Sequence, residues 1–247
     1  MVDEIVIIYS ADTTTYEEAD ITRIKDIIEN LGMKTLIAQI DEHLNKLFER
    51  KRFKLILNLV PALDDRFSRF LPAMCELLKI PYVGAGVFTN SMLTGNFSKE
   101  ILNYHGIGYS DKPSVSTHYI AVVGNNEKIV SNVVRLDKEG NFFKDLNLDK
   151  EAEKNLIANA MGVKSSLKIL DLLSLSGSFS PKQKGKFMIK NIDPAPSLKE
   201  SSIFCEVLKV LGISYEEIVA SILISAMQRY KIALSESLEV ISHKIFG

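Results

Sequence analysis

The spacing of apolar positions changes repeatedly along the first third of the chain. "DEIVIIYS" is a continuous apolar run, the pattern of a strand buried on both faces. From Tyr16 to Leu31 the spacing becomes helical, with Ile21, Ile24, Ile27, Ile28 and Leu31 on one face and Gly32 as the stop. "KTLIAQI" predicts a second strand, "DEHLNKLFER" a helix and "FKLILNLV" a third strand. "DDRFSRFLPAMCELLKI" predicts a further helix, and "PYVGAG" a short strand opening into a glycine turn. Such alternation argues for a parallel sheet with helices on its faces.

Beyond Asn103 to Ser114 the texture changes. "STHYIAVVGNNEKIVSNVVRLDKEGNFF" predicts an antiparallel meander, with turns at Asn125-Asn126 and at Lys138-Glu139-Gly140. A long helix is predicted from Asp149 to Leu173, with Gly162 as a break, and a strand from Lys186 to Ile192. About the last fifty residues read as helical. There Ser214 and Glu217 form a capping box ahead of a stripe containing Ile218, Ile222 and Met227. A domain boundary is expected near residue 112. No repeat or low-complexity segment is apparent.

Composition adds mostly exclusions. The 247 residues are 46% apolar and 25% charged, with a net charge of −1, the values of an ordinary globular protein. That balance does not favour nucleic acid or a membrane surface as a partner. No apolar run is long enough to span a bilayer, and the N-terminus lacks the pattern of a signal peptide, so a cytoplasmic location is expected. The two cysteines, Cys75 and Cys205, lie in apolar helical patterns and read as reduced core residues. With four scattered histidines they make no zinc-ligand spacing.

The chemistry concentrates in "GKFMIKNIDPAPSLKESS", where Asn191 and Asp193 stand two apart at a strand exit and so share a face. Together with "LNLVPALDDRFSRFLPAMCELLKIPYVGAG" and "VFTNSMLTGNFSKEILNYHGI", this stretch resembles the D-alanine–D-alanine ligase family of ATP-grasp enzymes. The likeness lies at both ends of the chain, and its strength is the order of several short motifs rather than any one of them. It implies an α/β protein: a parallel, pre-ATP-grasp-like domain over residues 1–112, then a reduced α+β ATP-grasp-like lobe over residues 113–247 that lacks the nucleotide subdomain. Members of the family are typically dimeric and act in peptidoglycan synthesis. They phosphorylate the carboxylate of one D-alanine with ATP and let the amine of a second attack it, which requires magnesium and cationic phosphate ligands.

Set against the family pattern, most of that machinery is altered. Asn191 and Asp193 take the places of a metal-binding glutamate and asparagine. Ser176 replaces a catalytic arginine and Ser178 a second metal-binding aspartate. The nucleotide lysine position reads Gly95-Asn96, with Lys99 three residues on. Lys112-Pro113 echoes a family dipeptide, but no glycine-rich phosphate loop follows. Lys182 and Lys184 are point charges that would not reproduce a bidentate arginine. Ala62 stands for a histidine. Glu17, or Thr15 by strict count, stands for a substrate-binding glutamate.

The bland alternatives are an Asx turn at Asn191 and Asp193 that leads into Pro194 and Pro196, and a solvated hairpin at "SPKQKGK". Arg66 and Arg69 are read as a carboxylate site or as exposed charge on a first helical turn. His105 stands beside a glycine turn. Tyr16, Glu17 and Glu18 lie at the sheet end that usually binds ligands. The expectation is a ligase-like protein that has lost catalysis and acts by binding a small ligand, a second copy or a partner protein. No cofactor is expected. Mg²⁺ and ATP return only if a reorganised ligase site survives.

Overall fold

The computed structural model describes residues 4–10, 15–40, 48–49, 53–61, 69–94, 97–109, 117–124, 128–131, 134–136, 141–144, 150–179 and 187–246. Strands β1 (Glu4–Tyr9), β2 (Lys34–Gln39), β3 (Leu55–Asn58) and β4 (Tyr82–Val83) form a sheet of order β2-β1-β3-β4. Every pairing in it is parallel, as the alternating pattern predicts. Helix α1 (Glu18–Asn30) buries the Ile21, Ile24, Ile27 and Ile28 stripe against Ile5, Ile7, Leu55 and Leu57. Helix α2 (Phe70–Leu78) places Leu71 and Cys75 on the other side, with Val6, Ile8 and Ile56. Both faces of β1 and β3 are therefore dry, which explains the continuous apolar runs. Helices α3 (Val87–Thr94) and α4 (Phe97–Tyr104) follow. Thirteen residues then join α4 to the next strand, too few for an additional lobe.

The second sheet is antiparallel. It contains β5 (His118–Gly124), β6 (Lys128–Val130), β7 (Val134–Leu136), β8 (Phe142–Lys144), β9 (Leu172–Phe179) and β10 (Phe187–Asp193). The order is β10-β9-β5-β7-β8, with β6 also on β5. Helix α5 (Lys150–Ser166) covers one face. There Leu156, Ala160 and Val163 meet Ile120, Val122, Leu173, Leu175 and Ile189.

The expected helix over 149–173 is corrected at two points. It runs unbroken through Gly162 and stops at Ser166, and 172–179 is strand β9. Gly162 leaves room for Ile107, whose Cδ1 would lie 3.0 Å from a Cβ there. The stop comes from Lys168, at φ 50°, and from Lys164, whose buried ammonium donates to the carbonyls of Ile169 (2.8 Å) and Leu170 (3.0 Å). Beyond that cap the chain enters the centre of a sheet, where ladder pairing on both sides decides its state. The expected turns at 125–126 and 138–140, and the boundary near residue 112, lie outside the described residues.

Three helices close the chain: α6 (Ile203–Lys209), α7 (Tyr215–Arg229) and α8 (Glu236–Phe246). The Ser214–Glu217 capping box of α7 is present as predicted. The stripe is not confined to one side. Every residue from Ile218 to Met227 is buried, because α7 shares a core with Ile5 and Ile7 of the first sheet and with Ala121, Val123 and Leu172 of the second. A helix that is apolar all round needs walls on all sides. No helix among the described residues is long and apolar enough to cross a membrane. Cys75 and Cys205 are free and buried, and burial pushes their thiols up to about 12 and about 11.

Candidate functional site

The carboxyl end of the parallel sheet faces the loop that leaves β10. A cavity of about 210 Å³ lies between them, lined on one side by Thr15, Tyr16, Asn58 and Gly84 and on the other by Asn191, Asp193 and the 194–198 segment. This is the end at which open α/β sheets place ligands. The loop is held from both sides. The Leu198 N–H donates to the Tyr16 hydroxyl at 2.6 Å, and the Tyr215 hydroxyl donates to the Leu198 carbonyl at 2.7 Å. Burial raises the pKa of both phenols, so both stay protonated, Tyr16 accepting and Tyr215 donating in these bonds. Lys199 reaches back to Asp20 of α1 at 3.1 Å.

A second cavity, about 380 Å³, lies at the same strand end and shares Asn191, Asp193, Pro196 and Ser197 with the first. Its floor is set by register. Asn191 pairs with Ser176 and Asp193 with Ser174 across the β10–β9 ladder, and Tyr119 of β5 stands opposite Ser176. Directly opposed residues in an antiparallel pair share a face. A register shift between Ile189 and Asn191 is what puts Asn191 there. Strict alternation from Phe187 and Ile189, both buried in the α5 core, would have turned Asn191 and Asp193 into that core. The irregularity inserts one residue and reverses the side-chain parity.

These chain paths match known proteins. The D-alanine–D-alanine ligase of Bacillus anthracis complexed with ATP superposes with a TM-score of 0.76, over 92% of this chain and 98% of that one, at 12% identity. That of Coxiella burnetii gives 0.71 over 97% of each chain at 14% identity. The VanG D-Ala:D-Ser ligase of Enterococcus faecalis gives 0.70 over 92% and 100% at 14%. The chain has the fold of the D-alanine–D-alanine ligases. At this identity the likeness concerns the fold alone. No protein-family model matches the sequence, and no curated protein sequence matches it.

Within the ligase fold, the residues singled out by sequence fall into three groups. Asn191, Asp193 and Ser176 come together at the second cavity. Ser178 is buried in the ladder opposite Met188 and does not line it. Glu17 precedes α1: its N–H donates to the Asp20 carboxylate at 2.8 Å, and its own side chain is 81% exposed, so Thr15 and Tyr16 line the first cavity instead. Lys99 packs 4.8 Å over the Tyr109 ring and lines neither cavity. His105 and Arg69 are exposed, and His105 makes an edge contact with Tyr104. Lys112, Gly95-Asn96, Lys182, Lys184, Ala62 and Arg66 lie outside the described residues.

Asn58, Tyr119 and Ser174 were not anticipated. Asn58 could have been found as the last residue of a parallel strand. Its carboxamide oxygen accepts the Val60 N–H at 3.0 Å. Tyr119 and Ser174 carry no local signal, because only the ladder brings them to the site.

Asp193 makes the turn that was one of its two readings. Its Oδ1 accepts the Ala195 N–H at 3.1 Å, an Asx turn. Burial raises its pKa, and the Ala195 N–H partly opposes the rise. A carboxyl that holds its proton more tightly when folded costs stability at neutral pH, and that cost disappears as the pH falls through its folded pKa. Asp193→Asn keeps the turn acceptor and removes the charge. It is therefore expected to raise Tm near pH 7 and to bring no gain near pH 4, checked by thermal melts at both values. An equal gain at both would remove the desolvated charge as the cause.

Magnesium, implied by the ligase resemblance, calls for near-octahedral oxygen ligation anchored by carboxylates. The site offers one carboxylate, already turned to a backbone amide, plus a neutral amide and serine hydroxyls. No group of three or more His, Cys, Asp or Glu that could hold a metal occurs among the described residues. Neither cavity has a lysine or arginine among its described lining residues, so no described side chain there neutralises a triphosphate. The donors do not fit magnesium or ATP.

Proposed function

We propose that this chain is a ligase-fold protein that does not ligate and that works by binding a small molecule at the end of β10. The observation that carries the reading is the register Asn191–Ser176 and Asp193–Ser174. It sets a neutral hydroxyl, Ser176, across from Asn191 at the position where the ligase resemblance implies a catalytic arginine, and another, Ser174, across from Asp193. The setting is cytoplasmic and related to peptidoglycan precursors, with a second copy of the chain or a complete ligase as the protein partner.

A thermal melt with millimolar Mg-ATP is expected to leave Tm unchanged. A nucleotide at a hundredfold excess over its Kd would add about 2.7 kcal/mol. No phosphate release is expected with D-alanine present. Saturable ATP hydrolysis that is lost in Asp193→Ala would instead establish a working carboxylate–amine ligase with a reorganised site.

A further inference from the structure

The second cavity has a charge inventory that selects its ligand. Its described lining carries one negative charge, at Asp193, and no positive one. Asp193 uses Oδ1 for the Ala195 N–H and makes no ion pair among the described residues, which leaves its other oxygen for a ligand. Beside it stand the Asn191 amide and the hydroxyls of Ser174, Ser176 and Tyr119. An anion would be repelled and would find no cation. A divalent metal would lack carboxylates. A single ammonium matches: it cancels one charge and offers three donors, one for the carboxylate and two for the neutral acceptors alongside. The 196–204 segment adds Pro196, Ile203 and Phe204, apolar surface for a short carbon chain, together with Ser197 and Ser202. The volume of about 380 Å³ is at the small end for ligand sites.

We infer that this cavity binds a small primary ammonium compound, the ammonium donating to Asp193, Asn191 and a serine of β9. The inference rests on the binding reading given above and specifies its ligand class.

Ethanolamine is the probe, titrated into the full chain labelled with ¹⁵N. Saturable shifts are expected at the Asn191 side-chain amide and the Ser176 backbone amide. Ethylene glycol, the neutral isostere, is expected to produce none. Asp193→Asn keeps the Asx turn and should weaken binding by about tenfold or more, the loss of one charge-assisted hydrogen bond. A melt and a spectrum of the variant confirm that it folds, and Ser176→Ala serves as a second, milder variant. Stronger shifts of the same signals with MgCl₂ would overturn the inference in favour of a metal site. No saturable response to ethanolamine, an equal response to ethylene glycol, or undiminished binding by folded Asp193→Asn would also overturn it. Those failures leave the non-ligating reading standing. Phosphate release from Mg-ATP with D-alanine would remove that reading whatever ethanolamine does.

Discussion

Replacing Arg229 with alanine is expected to cost about 3–5 kcal/mol of stability, the range for breaking a buried ion pair. Arg229 is the last residue of α7, and its guanidinium lies against Asp171, which is fully buried just ahead of β9. Nε donates to Asp171 Oδ1 at 3.2 Å, and one terminal nitrogen donates to Oδ2 at 2.7 Å and to the Tyr82 carbonyl at 2.6 Å. Ser225 donates to Oδ1 at 3.0 Å, and the Gly84 N–H approaches Oδ2 at 3.4 Å. The cluster thus ties the end of the parallel sheet, the entry to β9 and α7 at one point. Burial alone would push the Arg229 guanidinium down, but the charge and hydrogen bonds of Asp171 reverse this and raise it.

Alanine at 229 leaves Asp171 charged, dry and stripped of its main donors. Chemical denaturation measures the loss. Adding Asp171→Asn to an Arg229→Met chain should recover part of it, because the stranded charge is then gone. A cost below about 1 kcal/mol for Arg229→Ala would place the pair with ordinary surface bridges and sink this account.

The second large effect is expected at Gly177. It pairs with Ile189 in the β9–β10 ladder. A Cβ built there falls well inside contact distance of the Met188 backbone carbonyl and of the Phe187 ring. That ring is fully buried and stacks edge-on against Phe179 at 5.3 Å, so it has nowhere to retreat. Overpacking of this kind typically costs about 1–3 kcal/mol, and more where backbone must move. Gly177→Ala is therefore expected to lower stability by at least about 2 kcal/mol. It should also disturb the register next to Asn191, reported by amide shifts along 187–193. A variant as stable as the parent, with unchanged shifts there, would show that the ladder gives way easily.

Much of the architecture was legible because it depends on local period. The apolar runs of β1 and β3, the isoleucine stripe of α1 and the capping box of α7 each announce themselves within a few residues. β9 was missed although "LSLSGSF" alternates apolar and polar residues with the period of a strand: the expected helix runs on to Leu173, and the serines after it carry no expected element. Its state is decided by β5 and β10 on either side, far away in sequence. Gly162 was misread for a related reason, since a glycine signals a break only when nothing packs on it, and Ile107 does.

The site divides in the same way. That Ser176 and Ser178 stand at the family's charged positions was implied only by the ligase resemblance. From residue types alone, the chain determined that Asn191 and Asp193 share a face and that a single carboxylate is available there. It could not determine which face that is. Counting outward from Ile189 points both side chains into the core, and one inserted residue in β10 turns them to Ser174, Ser176 and Tyr119 instead. Nor could it pair Asp171 with Arg229, which are brought together only when α7 is wedged between the two sheets. Periodicity is a property of neighbours along the chain. Register and burial are properties of neighbours in space, and here they decided what the polar residues face.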